Sequence, residues 1–162
     1  VLVNNAGIAP FGDVADFALA DLDRVYAVNI RAVFVAIQAA LAHLPDGGRI
    51  VNIGSCNAER MPFAGGAAYA MSKAALVGLT KGLARDLGPR GITINTVQPG
   101  PVDTDMNPAG GPFADLLHGQ NIVALGRHAQ PQEIAGLVAW LAGPEAGYLT
   151  GASLMVDGGF TA

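Results

Sequence analysis

The sequence contains few charged residues and almost no cysteine. Asp, Glu, Lys and Arg make up 14% of the 162 residues, against roughly a quarter in an average globular chain, and the net charge is −4 at pH 7. No basic cluster is present, which argues against binding to nucleic-acid backbones or anionic membranes. Cys56 is the single cysteine, which excludes an intrachain disulfide and a thiolate metal cluster and favours a reducing, cytoplasmic location.

Long apolar runs are also absent. The most apolar helical stretch, 32–44, is interrupted by Gln38 and His43 and falls short of the ~18 uninterrupted apolar residues that a membrane span needs. The sequence shows no basic region followed by a long apolar stretch, so no targeting segment is recognised in it. What is present is a 51% hydrophobic composition with 22 glycines, which predicts a buried core and many tight turns rather than a disordered chain.

Short β-branched runs alternate with long stretches of helical period. This order predicts an α/β fold in one domain over 1–162, with a parallel sheet that carries helices on its faces. Ligands of such a sheet bind beyond the carboxyl ends of its strands. The predicted strands are 1–5, 49–54, 92–97 and 154–156, the helices are 20–44, 67–87 and 131–141, and the turns expected to converge at the ligand edge are 4–7, 54–56 and 98–101.

Tyr69, Lys73 and Ser55 are the strongest candidates for chemistry. Tyr69 and Lys73 are four residues apart on a predicted helix, so they share one helix face. An ammonium beside a phenol lowers the phenol pKa, which suits an acid or base near neutral pH. Ser55 ends the preceding strand and is placed to hold a substrate oxygen. The alternative is a surface pair on the helix, since the Tyr-Lys spacing alone is unspecific.

These motifs resemble those of the short-chain dehydrogenase/reductase family, and the resemblance runs through the whole chain. It rests on Val-Asn-Asn-Ala-Gly at 3–7, Asn29 within Tyr-Ala-Val-Asn-Ile, the Ser55, Tyr69 and Lys73 set, Gln-Pro-Gly-Pro-Val-Asp-Thr at 98–104, and the segment 151–159. The resemblance implies a Rossmann-like doubly wound parallel sheet. It also implies an oxidoreductase that interconverts a carbonyl and an alcohol by hydride transfer.

The resemblance also implies a role for each residue. Tyr69 would be the acid/base, Lys73 would hold the nicotinamide ribose, Ser55 would bind the substrate oxygen, and Asn29 would bind a water in the proton relay. NADP(H) is favoured over NAD(H), and no metal site is predicted. The expected cofactor-binding residues are Asn5, Ala6, Gly7, Tyr69, Lys73, Pro99, Gly100, Val102 and Thr104.

One motif of the family is missing. No glycine-rich phosphate loop of the form G-x-G-x-x-G occurs in the 162 residues. The family pattern therefore implies a C-terminal portion of a reductase domain whose N-terminal strands are absent from this chain. On that reading the isolated chain is expected to bind the cofactor weakly, to be inactive, and to expose the edge of its first strand.

Two branches of the family are similar to this sequence. One branch comprises 3-oxoacyl-[acyl-carrier-protein] reductases. The other comprises cyclic-di-GMP-binding proteins, and this sequence resembles them at 54–62 and 98–109. A nucleotide-binding regulatory protein and a catalytically silent fragment therefore stay open as alternatives to a reductase. The resemblance implies a homotetramer, and the apolar loop 106–126, with Phe113, Leu116 and Leu117, is expected to form a lid over an apolar small-molecule substrate.

Other residues carry weaker signals. Asp103 and Asp105 begin like a calcium loop, but Pro108 stands where glycine is required. The three histidines, His43, His118 and His128, have no ligand spacing and are expected at the surface or at helix ends. Cys56 is expected to be a small packed residue, and Trp140 is expected in the core or at a subunit interface.

Overall fold

The computed structural model describes residues 1–114, 117 and 122–162. Four parallel strands form one sheet in the order β1-β2-β3-β4. The strands are β1 (Leu2–Asn4), β2 (Arg49–Ile53), β3 (Thr93–Pro99) and β4 (Ser153–Val156). The four predicted strands and the α/β class are therefore confirmed. β3 is buried along almost all of its length, whereas β1 lies at an edge of the sheet, where Val3 is 41% exposed.

Helices connect the strands. The first connection runs through α1 (Leu19–Val25), a π-helical segment (Tyr26–Arg31) and α2 (Ala32–Ala40); the others contain α3 (Ala67–Leu87) and α4 (Pro131–Ala142). Short 3-10 turns lie at Cys56–Ala58, Gly88–Arg90 and Pro144–Ala146. The helix predicted at 20–44 ends at Ala40 instead, and residues 41–43 form a turn before Leu44, whose backbone Pro45 restricts. No helix in the described part of the chain is long and apolar enough to cross a membrane.

The sheet buries apolar side chains on both faces. Neighbouring residues of β2 point to opposite faces, so Ile50 packs with α2 and α3 in one cluster, while Val51 packs with α4 in another. These two clusters explain the continuous apolar character of the strands, which is typical of a parallel sheet covered by helices on both sides. The two-faced core holds the carboxyl ends of β1, β2 and β3 at one edge.

A chain of buried polar side chains crosses the sheet and links it to α3. The Asn4 amide donates to Asn52 Oδ1 (2.8 Å), the Asn52 amide donates to Thr80 Oγ1 (3.1 Å), and Thr80 Oγ1 lies 2.7 Å from Thr96 Oγ1. Buried polar groups are costly unless they are hydrogen-bonded. Each of these groups reaches its partner at only one alignment of the strands and α3. This series of hydrogen bonds therefore helps to fix the register of β1, β2 and β3 and the position of α3.

Candidate active site

The loops that follow β1, β2 and β3 surround a cavity of about 860 Å³. This volume lies within the range of small-molecule sites, about 300–1,000 Å³. Its lining includes all the residues predicted from the sequence except Asn29: Asn5, Ala6, Gly7, Ser55, Tyr69, Lys73, Pro99, Gly100, Val102 and Thr104. The turns expected to converge at one edge of the sheet therefore do so.

Lys73 reaches from α3 into the base of the cavity. Its side chain is 5% exposed, and its Nζ donates to the backbone carbonyl of Ile53 at the end of β2 (2.9 Å). Burial lowers the pKa of this amine from 10.5 to about 8, because the charged form loses water. Nζ lies 5.8 Å from the centroid of the Tyr69 ring, so the two side chains share one region of the cavity.

Tyr69 is half-buried beside Ser55. Burial raises the pKa of Tyr69 above its usual value, and hydrogen bonding from the Ser55 side chain opposes part of that rise. The lowered pKa expected from the sequence is therefore wrong for this structure, because removal of the phenol from water is the largest effect. Tyr69 therefore carries its proton at neutral pH, which suits a group that donates a proton.

Ser55 is positioned by a residue that sequence reasoning missed, Gln98. The Gln98 Oε1 accepts from the backbone N–H of Ser55 (2.6 Å), and its Nε2 donates to Ser153 Oγ on β4 (2.9 Å). Gln98 is fully buried. A Cβ added to Gly54 would lie 2.0 Å from Gln98 Oε1, so a glycine at 54 is what allows this amide to reach Ser55.

Asn29 lies in the π-helical segment and is 1% exposed. Its Oδ1 accepts from the backbone N–H of Ile8 (2.9 Å), and its Nδ2 donates to the Ile8 carbonyl (2.9 Å) and to Ser72 Oγ (3.0 Å). Ser72 in turn donates to the Tyr69 carbonyl (2.7 Å). The side chain thus ties the loop after β1 to α3. Both amide hydrogens are used, so the predicted relay water would bind at a carbonyl oxygen of Asn29.

Glycines allow close approaches on two sides of the cavity. A Cβ on Gly7 would lie 3.3 Å from Lys73 Nζ, so glycine keeps the space beside the amine open. A Cβ on Gly100 would lie 2.6 Å from the Asp157 Cα, so only glycine lets the loop after β3 pass the end of β4. The cavity therefore contains the Lys73 amine, with free space beside it, and a loop in which Pro99 and Val102 offer apolar surface.

Four aromatic rings cover the cavity. Phe11 follows β1, Phe63 follows β2, Phe113 follows β3, and all three line the cavity with Tyr69. Sequence reasoning had included Phe113 in the expected lid but missed Phe11 and Phe63, because isolated aromatic residues in separate loops have no periodicity. Leu117 of the expected lid also lines the cavity, and Leu116 lies outside the described residues.

The remaining predictions have mixed outcomes. Cys56 is buried, and loss of water together with the Asp157 charge raises its pKa to about 12, as expected of a packed, unreactive thiol. His43 is exposed. His128 is 3% exposed, so its surface placement is wrong, but it lies two residues before Gln130, the N-cap of α4, in agreement with the helix-end alternative. Its segment is drawn inward because Ala129 pairs with Val102. His118 lies outside the described residues.

Trp140 is 45% exposed, so it does not belong to the core. Of the two placements expected for it, the subunit interface stays a prediction.

Comparisons with known proteins agree with this geometry. A family model described as enoyl-(acyl carrier protein) reductase matches residues 1–161. The cyclic-di-GMP-binding biofilm dispersal mediator protein of Escherichia coli (strain K12) is 57% identical over 162 residues, which are 100% of this chain and 68% of that protein. The 3-oxoacyl-[acyl-carrier-protein] reductase FabG of Vibrio cholerae is 39% identical over 98% of this chain and 65% of its own length.

Solved structures give the same result. A short-chain dehydrogenase/reductase from Serratia marcescens superimposes with a TM-score of 0.96 and 65% identity, over 99% of this chain and 65% of that chain. A blue fluorescent protein from a metagenomic library, solved in complex with NADPH, superimposes with a TM-score of 0.96 and 58% identity, over 99% and 64%. The chain thus spans 64–68% of the length of these four proteins.

A parallel α/β sheet whose strand-end loops and neighbouring helix bring serine, tyrosine and lysine to one cavity has the architecture of dinucleotide-binding α/β proteins. The chain belongs to the short-chain dehydrogenase/reductase family. Both branches that the sequence resembled, the 3-oxoacyl-[acyl-carrier-protein] reductases and the cyclic-di-GMP-binding proteins, are found among its relatives.

Proposed function

We propose that this chain carries the catalytic and nicotinamide-binding part of an NADP(H)-dependent carbonyl reductase. The observation that carries the proposal is the meeting of Tyr69, Ser55 and Lys73 in one cavity. NADP(H) is preferred over NAD(H) because similar structures are complexes with NADPH or NADP. The residues fit the group: the open amine of Lys73 suits ribose hydroxyls, and the loop of Pro99, Gly100, Val102 and Thr104 offers a flat, largely apolar wall for a ring.

In this mechanism each residue of the chain acts at a stated atom. When bound, the cofactor supplies a hydride to the carbonyl carbon. Ser55 Oγ donates a hydrogen bond to the carbonyl oxygen and holds it beside the Tyr69 hydroxyl. Tyr69 gives its proton to that oxygen, so that the C=O becomes CH–OH, and the reverse transfer oxidises the alcohol. The positive charge of Lys73 stabilises the phenolate that Tyr69 leaves behind.

Turnover of small ketones and aldehydes with NADPH tests the proposal. The protein that carries this chain is expected to consume NADPH in step with alcohol formation, measured by absorbance and by product analysis. Binding of NADPH without turnover of any carbonyl in a broad panel would contradict it. That result would favour the catalytically silent alternative.

Cyclic-di-GMP binding is a second candidate, favoured by the name of the Escherichia coli relative. Against it, Lys73 is the only charged side chain among the described residues that line the cavity, whereas two phosphates require several cationic or N–H donors. Titration with cyclic-di-GMP in the presence and absence of NADPH separates the two candidates. Competition at this cavity would favour the regulatory function.

The phosphate part of the cofactor needs backbone N–H groups of a glycine-rich turn and a helix N-terminus. These 162 residues contain no such glycine motif, so we expect the chain by itself to bind NADPH more weakly than micromolar and to associate through the exposed edge of β1. Calorimetric titration of the purified 162-residue chain measures this. Micromolar or tighter binding would contradict it.

Assembly and location belong to the same proposal. Phe34 and Val35 on α2 and Met71 on α3 are large apolar side chains that are 42–49% exposed, which favours a homotetramer built on these helices. A monomer by light scattering at micromolar concentration would contradict it. A cytoplasmic location is proposed because the single thiol, Cys56, stays unpaired.

A further inference from the structure

Three loops place aromatic rings in mutual contact above Tyr69. The ring centroid of Phe11 lies 6.2 Å from that of Tyr69, 6.0 Å from that of Phe63 and 5.9 Å from that of Phe113. Phe63 and Phe113 stack at 6.1 Å with an interplanar angle of 20°. Phe11, Phe63 and Phe113 are called the aromatic clasp below.

The aromatic clasp is not part of the buried core of the sheet. Phe11 is 41% exposed and Phe113 is 39% exposed, although burial of such rings is strongly favourable. The loops that hold Phe11 and Phe63 are joined by a hydrogen bond, in which the Gly12 N–H donates to the Gly65 carbonyl (3.0 Å). Exposed aromatic groups on connected loops beside a cavity are typical of a surface that a ligand covers.

The charge around the aromatic clasp narrows the class of ligand. Among the described lining residues, Lys73 is the one charged side chain, and it donates to the Ile53 carbonyl at the base of the cavity. A carboxylate or phosphate on the substrate would lose its water near the clasp without gaining an ionic partner. The substrate side of the cavity therefore suits a neutral molecule.

The ring geometry narrows the class further. The rings around Phe11 are tilted by 39–44° at centroid distances near 6 Å, within the roughly 4.5–7 Å range in which aromatic rings attract one another. Such pairs are worth about 0.5–1.5 kcal/mol beyond the area they bury. A flat aryl group that entered beneath the clasp would gain these contacts, and a saturated ring of equal size would not.

We propose that the aromatic clasp selects neutral aryl ketones and aldehydes, and the corresponding benzylic alcohols in the reverse direction. The carbonyl of such a substrate would lie at Ser55 and Tyr69, with its aryl ring beneath Phe11. This inference rests on the proposed reductase function, whose substrate class it names. The reaction is the hydride and proton transfer already described, so no additional reactant is needed.

Two ketones with the same carbon skeleton test the inference. Acetophenone carries a phenyl ring, and cyclohexyl methyl ketone carries its saturated counterpart. For the protein that carries this chain, with NADPH, kcat/KM is expected to be about threefold to tenfold higher for acetophenone. Phe11→Leu, which keeps an apolar side chain and removes the ring, is expected to bring the ratio close to one. Tyr148→Leu, at a fully exposed position outside the cavity, is the control and should leave the ratio unchanged.

A binding measurement separates failure of this inference from failure of the proposed function. The affinity of the NADPH complex of Tyr69→Phe, which keeps the ring and loses the reacting hydroxyl, is measured for both ketones by calorimetry. If the variant binds the aryl ketone selectively and the unmodified protein turns over neither ketone, the reductase function is contradicted and the aryl selectivity of the clasp is supported. Equal affinities, or no binding of either ketone, would overturn the proposed selectivity for aryl ketones. If Phe11→Leu does not fold, Phe113→Leu takes its place.

Discussion

The base and the cover of the cavity are built in opposite ways. At the base, Asn29, Ser55, Lys73 and Gln98 are at most 6% exposed, and each hydrogen-bonds a backbone group at a strand end or in the adjoining loop. At the cover, Phe11 and Phe113 are about 40% exposed and are held in loops by ring contacts. The base therefore fixes the geometry of the reaction, whereas the cover presents exposed ring surface to a ligand.

This difference predicts which property each substitution changes. A lost hydrogen bond at the base leaves a buried partner unsatisfied, which is costly and changes the position of reacting atoms. A lost ring at the cover removes ring contacts and leaves no unsatisfied polar group. Substitutions at the base should therefore change turnover and stability, and substitutions at the cover should change substrate preference.

The largest effect is expected from Tyr69→Phe. General acid–base catalysis contributes typically 10²–10⁴-fold, so this change should reduce NADPH-dependent carbonyl reduction by about that factor while the fold is retained. Steady-state kinetics and circular dichroism measure the two properties. Tyr26→Phe is the matched control, because the Tyr26 hydroxyl contacts only the Met71 sulfur (3.5 Å) among the hydrogen bonds found. Most of the activity surviving in Tyr69→Phe would contradict its role as acid.

The next effect is the pH dependence that Lys73 gives to stability. Its pKa is about 8 in the folded chain and 10.5 as the ordinary value, so between these pH values the unfolded chain binds more protons. The free energy of unfolding should therefore rise with pH across this window, by on the order of 3 kcal/mol from this group. Two groups oppose this rise: Cys56, whose pKa is raised from 9.0 to about 12, contributes above pH 9, and Tyr69, whose pKa is also raised, contributes above pH 10.

Denaturant unfolding from pH 7.5 to 9, below the range in which Cys56 opposes the rise, measures this dependence. Lys73→Met, which keeps an unbranched side chain without the amine, should lose the rise that the unmodified chain shows. Parallel curves for the two proteins would contradict the assignment of the rise to Lys73.

A smaller effect is expected from Gly54→Ala. The added Cβ would lie 2.0 Å from Gln98 Oε1 and 2.8 Å from Thr96 Cγ2, so the amide that holds Ser55 must move. Overpacking of this kind costs typically about 1–3 kcal/mol, and kcat should fall more than KM rises. Gly136→Ala on α4 is the control, because nothing lies within 4 Å of its added Cβ; it should stabilise the helix by about 0.5–1 kcal/mol. Equal behaviour of the two variants would show that Gln98 does not position Ser55.

Sequence reasoning predicted the base of the cavity better than its cover. The spacing of Tyr69 and Lys73 and the strand-end position of Ser55 follow from periodicity, because regular elements convert spacing into direction. Gln98 was missed since a glutamine within an apolar strand gives no sign of its partner, which is a backbone group 43 residues away. The π-helical segment around Asn29 was missed because its residues keep an apolar helical period.

Phe11 and Phe63, and the contact of both with Phe113, were missed for a different reason. Phe11, Phe63 and Phe113 stand in three loops, and loops have no period from which a direction can be read. Only the folded sheet, which brings the ends of β1, β2 and β3 together, places these rings in contact. Burial of His128 likewise depends on the pairing of Val102 with Ala129. This is a contact between two loops, and the sequence of neither loop predicts it.

The smallest effect sharpens the contrast between base and cover. Phe113→Leu should lower the free energy of unfolding by less than about 1 kcal/mol, because Phe113 is 39% exposed and the variant keeps an apolar side chain. Leu76→Ala in the cluster beneath α3, where Leu76 is 1% exposed, should cost about 2–5 kcal/mol as the reference for a buried site. Chemical denaturation of the two variants gives both values. A loss at Phe113 as large as that at Leu76 would mean that the cover is a structural part of the core, and the distinction between the two regions would fail.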